Sequence, residues 1–187
     1  MSFMVFCSVL VCENKFKERR CSMKPSEEKA LELFDKAMET ESEGIEVYEE
    51  AAAKAQDVKA REIFQMLAEA ERRHLSIIEI TKEDVRHTYS SHAWKGDFIS
   101  EIGKEIEAIG RQYIPKSTDE IVSASALDAI NMGIKVEQDS IDFYSDAKTK
   151  VADPGVANLF NILLLSERAH LLLFELNKSY ITYPRRA

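Results

Sequence analysis

Cysteine is scarce in this chain. Only Cys7, Cys12 and Cys21 occur, all before Met23, with no CxxC pair. That excludes a zinc ribbon, a four-cysteine iron site and a disulfide framework, and leads us to expect a reducing, cytoplasmic setting. Glycine (6) and proline (4) are also few in 187 residues, which favours long helices over sandwiches or barrels. Positive charge is in deficit, with 25 Lys and Arg against 33 Asp and Glu. A net charge of -8 argues against nucleic acid, which calls for a basic footprint, and against an anionic membrane surface. No apolar run reaches the length of a bilayer span. The first one, Met1 to Cys12, is too short, and the charged stretch Glu13 to Arg20 follows it, the reverse of a signal peptide. Residues 1–22 are therefore read as an N-terminal extension, disordered or not native, with Met23 as the working start. The remainder, 23–183, is expected to form one domain.

What the chain does have is an internal repeat. Residues 37–83 aligned on 133–179 without a gap are identical at 14 of 47 positions. Unrelated segments would share roughly three, at about 6% identity for average composition. The matches include Glu41/Glu137, Tyr48/Tyr144, Asp57/Asp153, Phe64/Phe160, Glu71/Glu167 and His74/His170. Each copy reads as two helices joined by a few residues, hence an antiparallel hairpin. The first helix is predicted from about Ser26 to Ala55, and the second from Val58 to Lys82 with Asp57 as its N-cap. The third is predicted from Ser125 to Lys150, with Ser125 and Asp128 spaced as a capping box. The fourth is predicted from Asp153 to about Lys178, with Pro154 in its first turn. Residues 84–122 are long enough to run back along the whole bundle and carry a short amphipathic helix over 97–109. The expected fold is all-α, a four-helix bundle made of two helical hairpins joined by a long crossover.

Six residues carry the chemistry. Each copy has a Glu on its first helix and a Glu-x-x-His on its second: Glu41 with Glu71 and His74, then Glu137 with Glu167 and His170. Residues three apart share a helix face, so a carboxylate and an imidazole can grip one ion or two adjacent ions. A single Glu-x-x-His is weak evidence, because both residues are ordinary on helix surfaces. Two of them, each 30 residues after another Glu and flanked by leucine, are different. Packing alone does not call for charge among leucines, and buried carboxylates without partners are costly. Two divalent cations would balance four carboxylates, and mixed carboxylate and imidazole ligands suit iron, manganese or a mixed pair.

The motifs "ETESEGIEVYEEAA" and "VEQDSIDFYSDA", followed by "LAEAERRH" and "LLSERAH", resemble the rubrerythrin branch of the ferritin-like superfamily over about residues 27–178. The resemblance implies a ferritin-like bundle with two iron ions held by Glu41, Glu71, His74, Glu137, Glu167 and His170. It implies that Glu71 and Glu137, or their counterparts, bridge the ions. It also makes Tyr48 and Tyr144 partners of the carboxylates that take part in the reaction. Two features depart from the pattern. The sequence shows no four-cysteine rubredoxin motif, and Ser140 stands where such proteins usually have a further Glu, with Gly44 as its repeat mate. With Ser140 there, the resemblance implies that His74 stays bound in both oxidation states.

The expected activity is oxidation of iron(II) by hydrogen peroxide or dioxygen, followed by re-reduction from an external electron donor such as a rubredoxin-type carrier. The alternative is an iron-binding or iron-handling protein with little turnover. A third reading, a metal-free structural bundle, would leave the buried carboxylates unexplained. Similar proteins are usually homodimers, and a homodimer is expected; nucleic acid and membrane are not expected partners. His87 and His92, near Tyr89 and Trp94, are read as loop residues and Tyr113 as packing. Met38, Met66 and Met132 are read as core filler, and Arg72 and Arg168 as partners of surface acids.

Overall fold

The computed structural model describes residues 24–88, 97–114 and 123–183. The extension before Lys24, with its three cysteines, and the connector residues His92 and Trp94 lie outside them. Five helices carry the fold: α1 (Pro25–Lys54), α2 (Val58–Thr88), α3 (Asp97–Ala108), α4 (Leu127–Lys150) and α5 (Pro154–Thr182). The all-α, ferritin-like bundle of two hairpins is therefore the observed architecture, and α3 is the helix of the crossover. None of the described helices is long and apolar enough to cross a membrane.

Local chemistry accounts for most helix ends. Pro25 opens α1, where its missing N–H costs nothing, and the Glu27 carboxylate accepts from the Lys24 N–H at 2.8 Å. Asp57 caps α2 by accepting from the Ala60 N–H at 2.8 Å. Asp153 caps α5 by accepting from the N–H groups of Gly155 (2.8 Å) and Val156 (3.1 Å). The capping box expected at Ser125 and Asp128 is not there. A 3-10 turn over Ala124–Ala126 leads into α4, no side chain caps that helix, and the Ser125 hydroxyl bonds to that of Ser123 instead. Two helices overrun their expected ends, α2 past Lys82 to Thr88 and α5 past Lys178 to Thr182. Neither extra stretch contains glycine or proline, so nothing in it stops the helix.

The second oxygen of Asp57 accepts from the Ser123 N–H at 2.9 Å, so α2 and α4 begin at the same end of the bundle. The two helices thus run parallel, and the crossover returns the chain to that end, as expected for bundles with one long connection. α3 ends in a π-helical turn, Ile109–Tyr113, closed by the Ile114 N–H on the Ile109 carbonyl at 3.2 Å. It lies against α5 with Ile102 and Ile109 buried.

The core is split in two. One cluster is built on Phe34, Ile78, Tyr144, Phe160 and Leu163, and the other on Tyr48, Phe64, Leu67, Leu173 and Phe174. On each of α1, α2, α4 and α5 the chain passes from one cluster to the other through the candidate ligands. On α5, for example, Phe160 and Leu163 precede Glu167 and His170, and Leu173 and Phe174 follow. The polar residues therefore form a single layer across the middle. Aromatic rings pack on either side of it, with Phe34 5.5 Å from Phe160 and Phe64 5.7 Å from Phe174 between centroids.

Gly133 on α4 makes room for one of these rings. A Cβ there would lie 2.4 Å from the end of the buried Phe174 ring, which also packs on Tyr48. Gly133→Ala should therefore lower stability by about 1–3 kcal/mol, in spite of alanine's better helix propensity. Urea denaturation is the check, and a variant as stable as the parent would show that Phe174 moves aside freely.

Candidate metal centre

All six sequence-identified ligands meet in the polar layer. Glu41, Glu71, His74, Glu137, Glu167 and His170 are each at most 3% exposed. α1 and α4 supply one Glu each, while α2 and α5 each supply a Glu-x-x-His pair whose spacing aims both side chains inward. Their ligating atoms fall into two overlapping groups, Glu41–Glu71–His74–Glu167 and Glu71–Glu137–Glu167–His170. Within each group these atoms lie within 4.8 Å of one another.

Glu71 and Glu167 belong to both groups, whereas Glu41 and Glu137 each belong to one. The distances show why. Nδ1 of His74 faces Glu71 Oε2 (3.0 Å), Glu167 Oε1 (3.2 Å) and Glu41 Oε2 (3.3 Å). Nδ1 of His170 faces Glu167 Oε2 (3.2 Å), Glu71 Oε1 (3.3 Å) and Glu137 Oε1 (3.5 Å). Each shared carboxylate thus presents one oxygen to each histidine, while Glu41 and Glu137 each serve one side.

A metal fits this donor set. Both oxygens of Glu167, one of Glu137 and Nδ1 of His170 are buried with no hydrogen-bond partner. They sit near other polar atoms but at angles that form no hydrogen bond. This is the arrangement of ligands converging on a common point rather than on each other, and orphaned buried polar atoms otherwise cost 1–3 kcal/mol each, as an approximate range.

Tyr48 and Tyr144 stand at the edges of the layer and reach across it. The Tyr48 hydroxyl donates to Glu137, and the Tyr144 hydroxyl donates to Glu41. Each tyrosine therefore serves the carboxylate of the other hairpin, not the one two turns away on its own helix. Burial, then the nearby Glu137 for Tyr48 and Glu41 for Tyr144, pushes both phenols well above 10, so they remain donors. Gly44 and Ser140, three residues beyond Glu41 and Glu137, are both buried. A Cβ on Gly44 would meet the Glu71 side chain at 3.4 Å, so a small residue leaves space for the shared carboxylate.

One buried carboxylate had no place in the sequence reading. Glu105, on α3, lies over the opposite edges of the two imidazoles. Its Oε1 is 3.3 Å from Nε2 of His74 and 3.2 Å from Nε2 of His170. The Ser166 hydroxyl donates to the same oxygen, and Arg73 donates to Oε2 at 2.8 Å. Glu105 has no repeat mate, so the duplication could not reveal it. The available signal was its register, a charged residue between the buried Ile102 and Ile109 on the inward face of an amphipathic helix. Two smaller expectations are corrected: Met132, expected as core filler, is 46% exposed, and His87, expected in a loop, lies within α2 because that helix runs on to Thr88. Arg72 pairs with Glu49 and Glu69 on the surface, and Tyr113 packs against the second cluster.

Without metal the layer balances its charge with protons. Burial, reinforced by the charges of Glu71 and Glu167, raises the Glu41 carboxyl well above 4.5. Burial likewise raises Glu137, against the opposing pull of His170. For the histidines burial works the other way but is outweighed. The Glu167 charge for His74 and the Glu137 charge for His170, with contacts to Glu105, lift both well above 6.5. Burial alone would raise Glu71 and Glu105, yet bonds from His170 and His74 hold both below the usual carboxylate range.

The comparisons follow from this geometry. A ferritin-like bundle with two overlapping carboxylate and histidine groups in its core is an arrangement that could hold metal ions. The family model described as rubrerythrin matches residues 13–82, which include Glu41, Glu71 and His74. Over that stretch the chain is similar to rubrerythrin, and the second hairpin repeats the Glu and Glu-x-x-His pattern. No curated protein and no solved structure matches it.

The protonation pattern has a measurable sign. His74, His170, Glu41 and Glu137 have raised values, so each stabilises the metal-free fold below its unfolded value and loses that contribution as pH rises through its folded value. Glu71 and Glu105 act oppositely and are already fully ionised above 4.5. The melting temperature of chelator-treated protein should therefore fall as pH rises above the ordinary histidine value of 6.5, while metal binding tightens as protons leave. A metal-free melting temperature that rises with pH above that value would contradict this.

Proposed function

We propose that the chain is a diiron-carboxylate redox protein of the peroxide-scavenging or ferroxidase type, re-reduced by a separate electron carrier. The observation that carries this reading is the pair of overlapping ligand sets, in which Glu71 and Glu167 offer one oxygen to each side. Glu41 and His74 complete one metal position, and Glu137 and His170 the other. Iron(II) held there would supply the two electrons that, with two protons, reduce hydrogen peroxide to two waters. Manganese or a mixed pair would satisfy the same donors.

The protein's own contribution is positional. Tyr48 and Tyr144 each occupy one oxygen of Glu137 and Glu41, which fixes how those carboxylates turn. The two apolar clusters above and below the layer limit water and stray side reactions. A rubredoxin-type carrier would return electrons to the site. Ser140, in place of the further Glu, favours the second reading, iron handling with little turnover, because it removes one carboxylate that could follow the metal through a cycle.

Metal analysis of anaerobically purified protein, followed by mixing with peroxide and then with dioxygen, separates these readings. Two irons per chain that are oxidised quickly and repeatedly when a reductant is present support the enzyme. Two irons that oxidise once and recover slowly support iron handling. Glu71→Ala and His170→Ala should abolish stoichiometric binding. Parent protein that takes up no metal would sink both readings.

A further inference from the structure

We propose that Glu105 is the positioning residue for both metal-facing histidines, so that the crossover helix, rather than either hairpin, aims His74 and His170 at the metal pair. This rests on the metal-centre reading above and adds a control point to it.

The geometry is specific. A carboxylate only accepts, so the Nε2 atoms that face Glu105 Oε1 at 3.3 and 3.2 Å carry the ring hydrogens. In a neutral ring this places the lone pair on Nδ1, which faces Glu41 and Glu71 in His74 and Glu137 and Glu167 in His170. One oxygen thereby sets the tautomer and tilt of two rings, which lie nearly parallel, 13° apart with centroids at 5.7 Å. Histidine ligands are commonly held by a carboxylate on the far nitrogen, but a single carboxylate serving both makes the pair one mechanical unit.

The remaining capacity of Glu105 is taken up by Ser166 and Arg73. A cation bound by His74, Glu105 and His170 would displace these hydrogens and face the Arg73 guanidinium, so the group does not read as a third metal position. The sequence gives separate support. At the two repeat positions that hold Glu105, the copies differ. Arg73 matches Ala169, and Ser166 matches Ala70, and neither alanine could form such a bond. The twofold pattern is thus broken where the crossover inserts. Glu105 is itself only 6% exposed, held in place by Ile102 and Ile109 on the same helix face.

Because one residue serves both the helix and the rings, docking of α3 and occupancy of the metal pair must reinforce one another by the same factor. Titration with cobalt(II), whose visible absorption reports histidine ligation, tests this on the full chain. The parent should bind two ions. Glu105→Gln, which keeps the size and removes the charge, should weaken both positions by about 10–100-fold together. It should also speed backbone hydrogen exchange across 97–108 in the cobalt-loaded protein. Ser166→Ala, which installs the residue of the other repeat copy, should weaken both positions in the same direction by less, and guards against a Glu105 variant that fails to fold. Unchanged affinity in both variants, or loss at one position only, would overturn the proposal while leaving the metal centre standing. A third cobalt per parent chain, lost in Glu105→Gln, would overturn it by making Glu105 a ligand. Parent protein that binds no cobalt would overturn the metal-centre reading and this one with it.

Discussion

The constraint on which everything else rests is the placing of four carboxylates in the middle of an apolar core. Glu41, Glu71, Glu137 and Glu167 are all but removed from water. Like charges so close cannot all remain ionised without a counter-charge. The chain has two ways to supply one. Protons held within the layer do so in the absence of metal. Under the proposed reading, two divalent cations would match the four carboxylates and leave the imidazoles neutral. The layer between the two hydrophobic clusters is therefore not a packing fault tolerated by the fold. Among the described residues it is a layer whose charge must be met by protons or by metal.

Geometry follows from duplication. Each hairpin brings a Glu and a Glu-x-x-His, and the two hairpins face each other about an approximate twofold axis. The tyrosines show this directly, since Tyr48 bonds across to Glu137 and Tyr144 to Glu41. Their rings are anchored in opposite clusters, so packing at either end of the bundle fixes a carboxylate at its centre. Departures from the twofold are concentrated on one side of the layer, where α3 lies and where Arg73 and Ser166 replace what would be alanines.

Most of this was legible in the sequence, because a repeat converts weak local signals into a strong one. The Glu-x-x-His motifs, the two tyrosines and the caps at Asp57 and Asp153 all occur twice, and all were found. What has no second copy was missed or misjudged. Glu105 stands alone in the crossover, and only its position between buried isoleucines hints at an inward carboxylate. The start of α4 is likewise without a mate, since Pro25 and not a Ser opens α1, and the supposed Ser125 cap proved to be a serine bonded to another serine. The sharing of Glu71 and Glu167 depends on how far each side chain reaches across the layer. Spacing along a helix carries no information about that.

The crossing of ligands between hairpins also bears on time. The set around His74 needs Glu167 from the second hairpin, and the set around His170 needs Glu71 from the first. Neither hairpin supplies a complete set by itself, so the full donor sets exist only after the two halves have met. Interactions that arise so late contribute little to the speed of folding and act chiefly on the reverse step. Bound metal should thus lengthen the lifetime of the folded chain far more than it shortens the wait for it to form, and an ion once enclosed leaves at the pace at which the hairpins part.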